Sequence, residues 1–123
     1  MKKIFIISPV RNISKITERQ IRVYVSKLQE QGHLVYWPLD HTDQNDKVGL
    51  RICHDNRKAI WEADEIHIWY EETSNGSKFD MGGIFMLEIL GIKKKVVIVN
   101  RKEAETFDKS KKSFLKVMKK LAD

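Results

Sequence analysis

Long hydrophobic runs and paired cysteines are both missing from this sequence of 123 residues. No apolar run approaches the ~20 residues of a membrane-spanning helix. The first residues, Met1 to Ser8, also lack the long apolar region of a signal peptide. The single cysteine, Cys53, excludes an internal disulfide framework and is typical of a reducing compartment. These absences predict a soluble cytoplasmic protein.

The usual fingerprints of nucleotide and metal sites are missing as well. No G-x-G-x-x-G follows the first apolar stretch and no G-x-x-x-x-G-K-(S/T) occurs anywhere, so Rossmann and P-loop sites lack their main support. The four histidines have no recognised ligand spacing, and Cys53 and His54 point in different directions if they are neighbours on a helix. We therefore predict neither a metal site nor a cofactor.

Positive charge is present in excess, but it is concentrated in one part of the chain. The formal net charge is +6, and eleven basic residues lie between Lys93 and Lys120. Few aromatic residues are interleaved with them, so the stacking surface of a single-strand binder is absent. This pattern favours a solvated helix face, and a nucleic-acid-associated protein recruited by its lysines is the weaker alternative.

Hydrophobic periodicity predicts that strands and helices alternate along one domain, residues 1–123. The predicted strands cover residues 3–8, 33–37, 65–70 and 95–99. The predicted helices run from Ser14 or Thr17 to Gln31 and over residues 48–63, 78–90 and 107–121. Such alternation predicts an α/β fold with a doubly wound parallel sheet. The right-handed crossover rule favours strand order 2-1-3-4, with ligands bound between the carboxyl ends of the first and third strands.

The stretch Gly76-Ser77-Lys78-Phe79-Asp80-Met81-Gly82-Gly83 lies at that edge of the sheet. Gly76 permits a positive φ and the close approach of a ligand, and Ser77 can cap the following helix. Asp80 then falls in the first helical turn, where it either interacts favourably with the helix dipole or faces a ligand. A ligand between the two strand ends is predicted to contact Ser8, Arg11, Ser74, Gly76, Ser77 and Asp80.

Three short motifs in the same order resemble the nucleoside 2-deoxyribosyltransferase family and the related 2′-deoxynucleoside 5′-phosphate N-hydrolases. They are Ile7-Ser8-Pro9, Asn56-x-x-x-Ile60-x-x-Ala63-Asp64 and Ser74-Asn75-Gly76-Ser77-Lys78-Phe79-Asp80-Met81-Gly82. Family members carry G-(S/T)-x-x-E-x-G, or a close variant, at the third motif. The resemblance covers roughly the first ninety residues.

The resemblance implies a flavodoxin-like domain that cleaves the N-glycosidic bond of a deoxynucleoside or its 5′-phosphate, and a homo-oligomer. By position, Asp80 matches the carboxylate nucleophile that attacks C1′ of deoxyribose, and Gly76 and Ser77 match the loop around the sugar or phosphate. Asn56 matches a polar position near the base or the nucleophile, and Ser8 lies in the first sugar-binding loop. A guanidinium at Arg11 suits a 5′-phosphate.

One residue departs from the family pattern at its centre. Asp80 stands where the family has Glu, and its side chain is shorter by one C–C bond, about 1.5 Å. Because a misplacement of this order costs ~100-fold in rate, the sequence leaves two functions open. The first is cleavage or transfer of the glycosidic bond. The second is a non-catalytic nucleotide-binding or partner-binding module on the same fold.

Overall fold

The computed structural model describes all residues, 1–123. The strands are β1 (Lys3–Ile7), β2 (Leu34–Tyr36), β3 (Glu65–Ile68) and β4 (Lys95–Ile98). The helices are α1 (Lys15–Glu30), α2 (Pro38–His41), α3 (Leu50–Glu62), α4 (Asn75–Ile89), α5 (Arg101–Phe107) and α6 (Phe114–Ala122). None of these helices is both long and apolar enough to cross a bilayer.

The four strands form one parallel sheet in the order β2-β1-β3-β4. Ile7 at the end of β1 is paired with Ile68 at the end of β3, so the segments that follow these strands leave the sheet side by side. The predicted strand order, the parallel pairing and the position of the reversal between β1 and β3 are therefore confirmed. This α/β architecture places the segment that leads into α4 at the carboxyl edge of the sheet.

Helices cover both faces of the sheet, which explains why β1 is almost entirely apolar. Successive side chains of β1 point to opposite faces. Phe5 and Ile7 belong to a cluster of 14 buried residues that includes residues of α3, α4 and α6. Ile4 and Ile6 belong to a cluster of 6 buried residues that includes residues of α1. The sheet is thus the central layer of three.

Two polar stretches differ from the prediction. Residues 38–41 lie outside every predicted strand and helix but form the short helix α2, which begins with Pro38, a residue suited to the first helical position. The predicted helix over residues 107–121 is interrupted, and α6 begins after Ser113. The Ser113 hydroxyl accepts a hydrogen bond from the Lys116 N–H at 3.2 Å, and it donates to the Asp108 carboxylate at 2.7 Å. These local bonds compete with helix formation.

Helix α4 begins three residues earlier than predicted. The Ser74 hydroxyl, not that of Ser77, accepts the capping hydrogen bond, from the Ser77 N–H at 3.3 Å. Gly76 lies inside the first turn, and the glycines with positive φ are Gly32, Gly49 and Gly91. The predictions that Ser77 caps the helix and that Gly76 supplies a positive φ are therefore wrong. Asp80 lies in the second turn, beyond the strongest influence of the helix dipole.

Candidate functional site

A cavity with a volume of about 790 Å³ lies between α3 and α4. Helix α3 contributes Leu50, Cys53, His54, Arg57, Ile60 and Trp61 to its wall. Helix α4 contributes Lys78, Phe79, Asp80, Gly82, Gly83, Met86 and Leu87, and α6 contributes Phe114. The wall is mainly apolar with few polar groups, as is usual for a pocket that binds a small molecule.

Asp80 is the only carboxylate in this wall. The residue is half-buried, and its side chain forms no hydrogen bond or ion pair with another protein group. Burial raises the pKa of the Asp80 carboxyl from 3.8 to about 7, because the charged form loses hydration without gaining a partner. A carboxyl group that changes charge near neutral pH inside a cavity is typical of a functional site.

Basic groups face the same cavity from α3. Arg57 donates a hydrogen bond from Nη2 to His54 Nδ1 at 2.8 Å. Arg57 has no carboxylate partner among the ion pairs of the chain, whereas Lys78 is paired with Glu72 at 3.3 Å. The Arg57 guanidinium is therefore available to an anionic ligand.

Ser74 and Ser77 hold the beginning of α4 in place. Their hydroxyl oxygens lie 2.7 Å apart, and Ser77 is almost fully buried, with 1% of its surface exposed. Gly76 is exposed next to them, and a side chain added there would meet no atom within 4 Å. None of these three residues lines the cavity that contains Asp80.

Ser8 and Arg11, which follow β1, also lie outside this cavity. Ser8 is buried, accepts a hydrogen bond from Trp37 Nε1 at 3.0 Å and donates one to the Pro9 carbonyl at 3.1 Å. The Ser8 hydroxyl therefore already donates its hydrogen to a protein group and does not have it free for a ligand. Arg11 is exposed and has no hydrogen-bonding or ionic partner in the chain.

Asn56 lies on the buried side of α3 and not in the cavity wall. Its Oδ1 accepts a hydrogen bond from the Thr42 hydroxyl at 2.8 Å, and Thr42 in turn accepts one from the Tyr36 hydroxyl at 2.6 Å. The Asn56 side-chain nitrogen donates to no protein group. This chain of bonds ties α3 to the end of β2, and so it fixes one wall of the cavity.

The segment between β3 and α4 is tied to the end of β4 by Asn100. The Tyr70 N–H donates to Asn100 Oδ1 at 2.8 Å, and Asn100 Nδ2 donates to the Tyr70 carbonyl at 2.9 Å. Asn100 is buried, so these bonds are shielded from water. They extend the β3–β4 pairing and fix the chain just before the helix that carries Asp80.

A second cavity, of about 390 Å³, lies beyond the carboxyl end of β3. Its acidic lining residues are Glu71, Glu72, Glu103 and Asp108. Ser8 and Arg11 do not line it either, so neither of these two cavities brings the seven predicted site residues together. No three His, Cys, Asp or Glu side chains in the chain are grouped as metal ligands would be.

Sequence reasoning missed most of the cavity wall, above all Trp61, Phe79 and Arg57. The sequence does contain a signal for the α3 side of the wall, because Leu50, His54, Arg57 and Trp61 recur at spacings of three or four residues along this helix. Such a stripe predicts a buried helix face equally well. Only the structure shows that it lines an open cavity.

No protein-family model and no curated protein matches this chain. The chain is similar in fold to solved structures. A 2-deoxyribosyltransferase from Bacillus psychrosaccharolyticus aligns with 94% of this chain and 90% of its own, at 16% identity and a TM-score of 0.57. A conserved protein from Enterococcus faecalis V583 aligns with 99% of this chain and 86% of its own, at 14% identity and a TM-score of 0.62. At these identities the likeness establishes a shared fold.

Proposed function

We propose that this protein cleaves or transfers the N-glycosidic bond of a deoxynucleoside or its 5′-phosphate, with Asp80 as the nucleophile. The observation that carries the proposal is the Asp80 carboxylate, which lies in a cavity of about 790 Å³ with no protein partner. The motif Gly76-Ser77-Lys78-Phe79-Asp80-Met81-Gly82 and the fold shared with a 2-deoxyribosyltransferase support it.

In this reaction Asp80 Oδ attacks C1′ of the sugar while the C1′–N bond breaks. The base leaves with the electron pair of that bond and takes up a proton, and the sugar remains as an ester on Asp80. Water or a second base then attacks C1′ and releases the carboxylate. The carboxylate must be charged for the first step, and a pKa of about 7 leaves roughly half of Asp80 charged and reactive at neutral pH.

The cavity wall offers groups for each part of such a substrate. Trp61 and Phe79 are aromatic and more than half exposed, so they provide surfaces on which a base can stack. Arg57 provides a charge for a 5′-phosphate. The substrate-binding roles of Ser8, Arg11, Asn56, Ser74, Gly76 and Ser77 stay predictions.

Base release from defined substrates tests the proposal. The protein at high concentration is incubated with each 2′-deoxynucleoside and each 5′-monophosphate, alone and with a second base, and free base is measured by chromatography. We expect base release with at least one substrate, and a second base as acceptor separates transfer from hydrolysis. No turnover with any substrate would defeat the catalytic proposal.

A nucleotide-binding module without catalysis is the second candidate. The observation that favours it is Asp80 itself, because its side chain is short and its raised pKa leaves part of it protonated and unreactive at neutral pH. Calorimetry distinguishes the two candidates. Binding of a nucleotide that is recovered intact supports the module, and release of base excludes it.

A further inference from the structure

The net positive charge of the molecule comes entirely from its last third. Residues 93–123 contain eleven basic and four acidic residues, a formal charge of +7, whereas residues 1–92 contain twelve basic and thirteen acidic residues, a charge of −1. Between Lys109 and Ala122 there are six lysines and no acidic residue. Such a separation of charge within one chain is typical of proteins that bind nucleic acid or a membrane surface.

Two of these lysines have partners inside the chain. Lys116 Nζ forms an ion pair with the Asp108 carboxylate at 2.8 Å, and Lys119 Nζ forms one with the Glu105 carboxylate at 2.6 Å. These bonds tie α6 to α5 and to the segment between the two helices. The fold itself therefore accounts for the charge of these two side chains.

Three other lysines of this region have no such role. Lys111, Lys112 and Lys120 are exposed, and none of their side chains forms a hydrogen bond or an ion pair with another group of the chain. Uncompensated charges of one sign repel each other and destabilise the folded state. Since no contact within the chain offsets that repulsion, these three ammonium groups are available to an anionic partner.

An exposed aromatic ring accompanies the free lysines. Few aromatic residues are interleaved with the lysines along the chain, but Phe114, Val117 and Lys120 follow one another at intervals of three residues and so share one side of α6. Phe114 is 56% exposed. A base can therefore stack on the ring next to lysines that contact phosphates. We name this surface the α6 ridge, and it consists of Lys111, Lys112, Phe114 and Lys120.

The buried side of α6 argues against a membrane as the partner. Leu115 and Met118 are 1% and 2% exposed and belong to the core. A helix that lies on a bilayer inserts its apolar side between the lipids, and α6 has already buried that side in the protein. The exposed Phe114 and Val117 do not replace it, whereas a single ring is enough to stack a base.

We infer that the α6 ridge binds single-stranded nucleic acid, with its lysines on the phosphates and a base stacked on Phe114. Proteins that bind single strands without sequence preference combine these two interactions. Helix α6 has nine residues and is about 14 Å long, which corresponds to about four nucleotides at 3.4 Å each. Phe114 also lines the cavity of Asp80, so a bound strand passes the edge of that cavity. The inference does not depend on the proposed function.

Binding of the full chain to a fluorescently labelled oligothymidylate of about 20 nucleotides tests the inference by anisotropy. We expect a Kd of about 10 μM at about 50 mM salt. The logarithm of the association constant should fall with the logarithm of the salt concentration with a slope of about −2, because each of three lysine–phosphate contacts on a single strand contributes about −0.7.

A pair of double variants separates the ridge from the overall charge. Lys112→Glu with Lys120→Glu should weaken binding at least ~20-fold and bring the salt slope close to zero. Lys15→Glu with Lys27→Glu is the matched control, because it lowers the net charge equally, from +6 to +2. Lys15 and Lys27 lie at the start and in the last turn of α1, which covers the other face of the sheet. The control should keep its affinity within about threefold.

A pair of single variants tests the stacked base. Phe114→Leu keeps an apolar side chain but removes the ring, so binding should weaken about tenfold. Phe107→Leu is the control. Phe107 is 70% exposed, but it lines the second cavity together with Glu71 and Glu103, where phosphates are repelled. It should bind the oligonucleotide as wild type does, and circular dichroism checks that both variants are folded.

Three results would overturn the inference. The first is equal affinity of wild type and the ridge double variant. The second is equal affinity of Phe114→Leu and Phe107→Leu, which would exclude a stacked base and hence the recognition of a single strand. The third is binding to phosphatidylserine vesicles without binding to the oligonucleotide, which would assign the ridge to a membrane.

The same protein keeps this inference apart from the proposed function. Oligonucleotide binding without release of base from any deoxynucleoside or monophosphate defeats only the proposed chemistry. Release of base without oligonucleotide binding defeats only the α6 ridge.

Discussion

His67 and Asp80 are both titratable groups that the fold shields from water, but only His67 has hydrogen-bonding partners inside the protein. His67 is buried in the sheet, where Nδ1 accepts a hydrogen bond from the Tyr24 hydroxyl at 2.7 Å and Nε2 donates to Glu65 at 2.9 Å. Every polar atom of the ring is used, and burial keeps it neutral by lowering its pKa. Asp80 has no such partner, and burial raises its pKa to about 7.

The contrast separates a structural polar group from a candidate functional one. A buried side chain whose hydrogen bonds are all made inside the protein stabilises one conformation. A carboxylate left without partners costs stability in its charged form, and such a cost is expected where a ligand or a reaction uses the group. If this contrast holds, changes at the two residues should act on different properties.

The largest effect is expected on activity, from Asp80→Asn. The variant keeps the shape of the side chain but removes the nucleophile, so base release should fall about 10³-fold or more. Asp80→Glu should retain activity, because it restores the carboxylate at the length found in the resembling family. Asp55→Asn is the control, since Asp55 lies on α3 outside the cavity wall. Equal activity of Asp80→Asn and wild type would exclude Asp80 as the nucleophile.

On stability, His67→Ala should have the largest effect. It leaves the Tyr24 hydroxyl and the Glu65 carboxylate without a partner and opens a void in the sheet, which together cost about 3 kcal/mol. His54→Ala removes an exposed histidine and should change stability by less than ~0.5 kcal/mol. Urea unfolding measures both. A loss below about 1 kcal/mol for His67→Ala would show that the buried network contributes little.

The next largest effect is on the pH dependence of stability, to which Asp80 and His67 contribute with opposite signs. The pKa of Asp80 is raised from 3.8 to about 7, so its favourable contribution is complete below about pH 4 and is lost as the pH rises to about 7. Asp80→Asn should therefore stabilise the protein near pH 8 by about 2 kcal/mol. This is less than the ~4 kcal/mol of the full shift, because the carboxylate is only half-buried.

The His67 contribution has the reverse sign. Its pKa is lowered from 6.5, so the stability it supplies is present above about pH 6.5 and is lost as the pH falls towards the folded-state value. Unfolding curves for wild type and Asp80→Asn between about pH 4 and pH 8 separate the two groups. Parallel curves across that range would contradict the raised pKa of Asp80.

The smallest expected effect concerns substrate binding by Arg57. Arg57→Gln should raise KM for a deoxynucleoside 5′-monophosphate about tenfold and change kcat less than about twofold, because it removes a charge that binds ground state and transition state alike. The unphosphorylated nucleoside should show no such change. Arg51→Gln on the same helix, outside the cavity wall, is the control. Equal KM values for both variants would exclude Arg57 from phosphate binding.

More of the fold than of the candidate site could be predicted from the sequence. The alternation of apolar strands and amphipathic helices, with the handedness of crossovers, leaves few arrangements of four parallel strands, and β2-β1-β3-β4 is the one found. The beginning of α4 could not be predicted to the residue, because Ser74 and Ser77 are both suited to capping. The surroundings of Asp80 could not be predicted either. They depend on how α3 lies beside α4, and an apolar stripe does not distinguish a buried surface from an open one.

The paired bonds between Asn100 and Tyr70 carry a consequence for the far end of the chain. The side-chain amide of Asn100 makes the two hydrogen bonds to Tyr70 that a neighbouring strand would make. The path of the chain from β3 to α4 therefore depends on a residue that follows β4. Residue 100 therefore helps to fix the backbone that leads into α4, although it does not line the cavity of Asp80. A substitution that removed this amide is expected to loosen that backbone while every residue in the wall of the cavity stays unchanged.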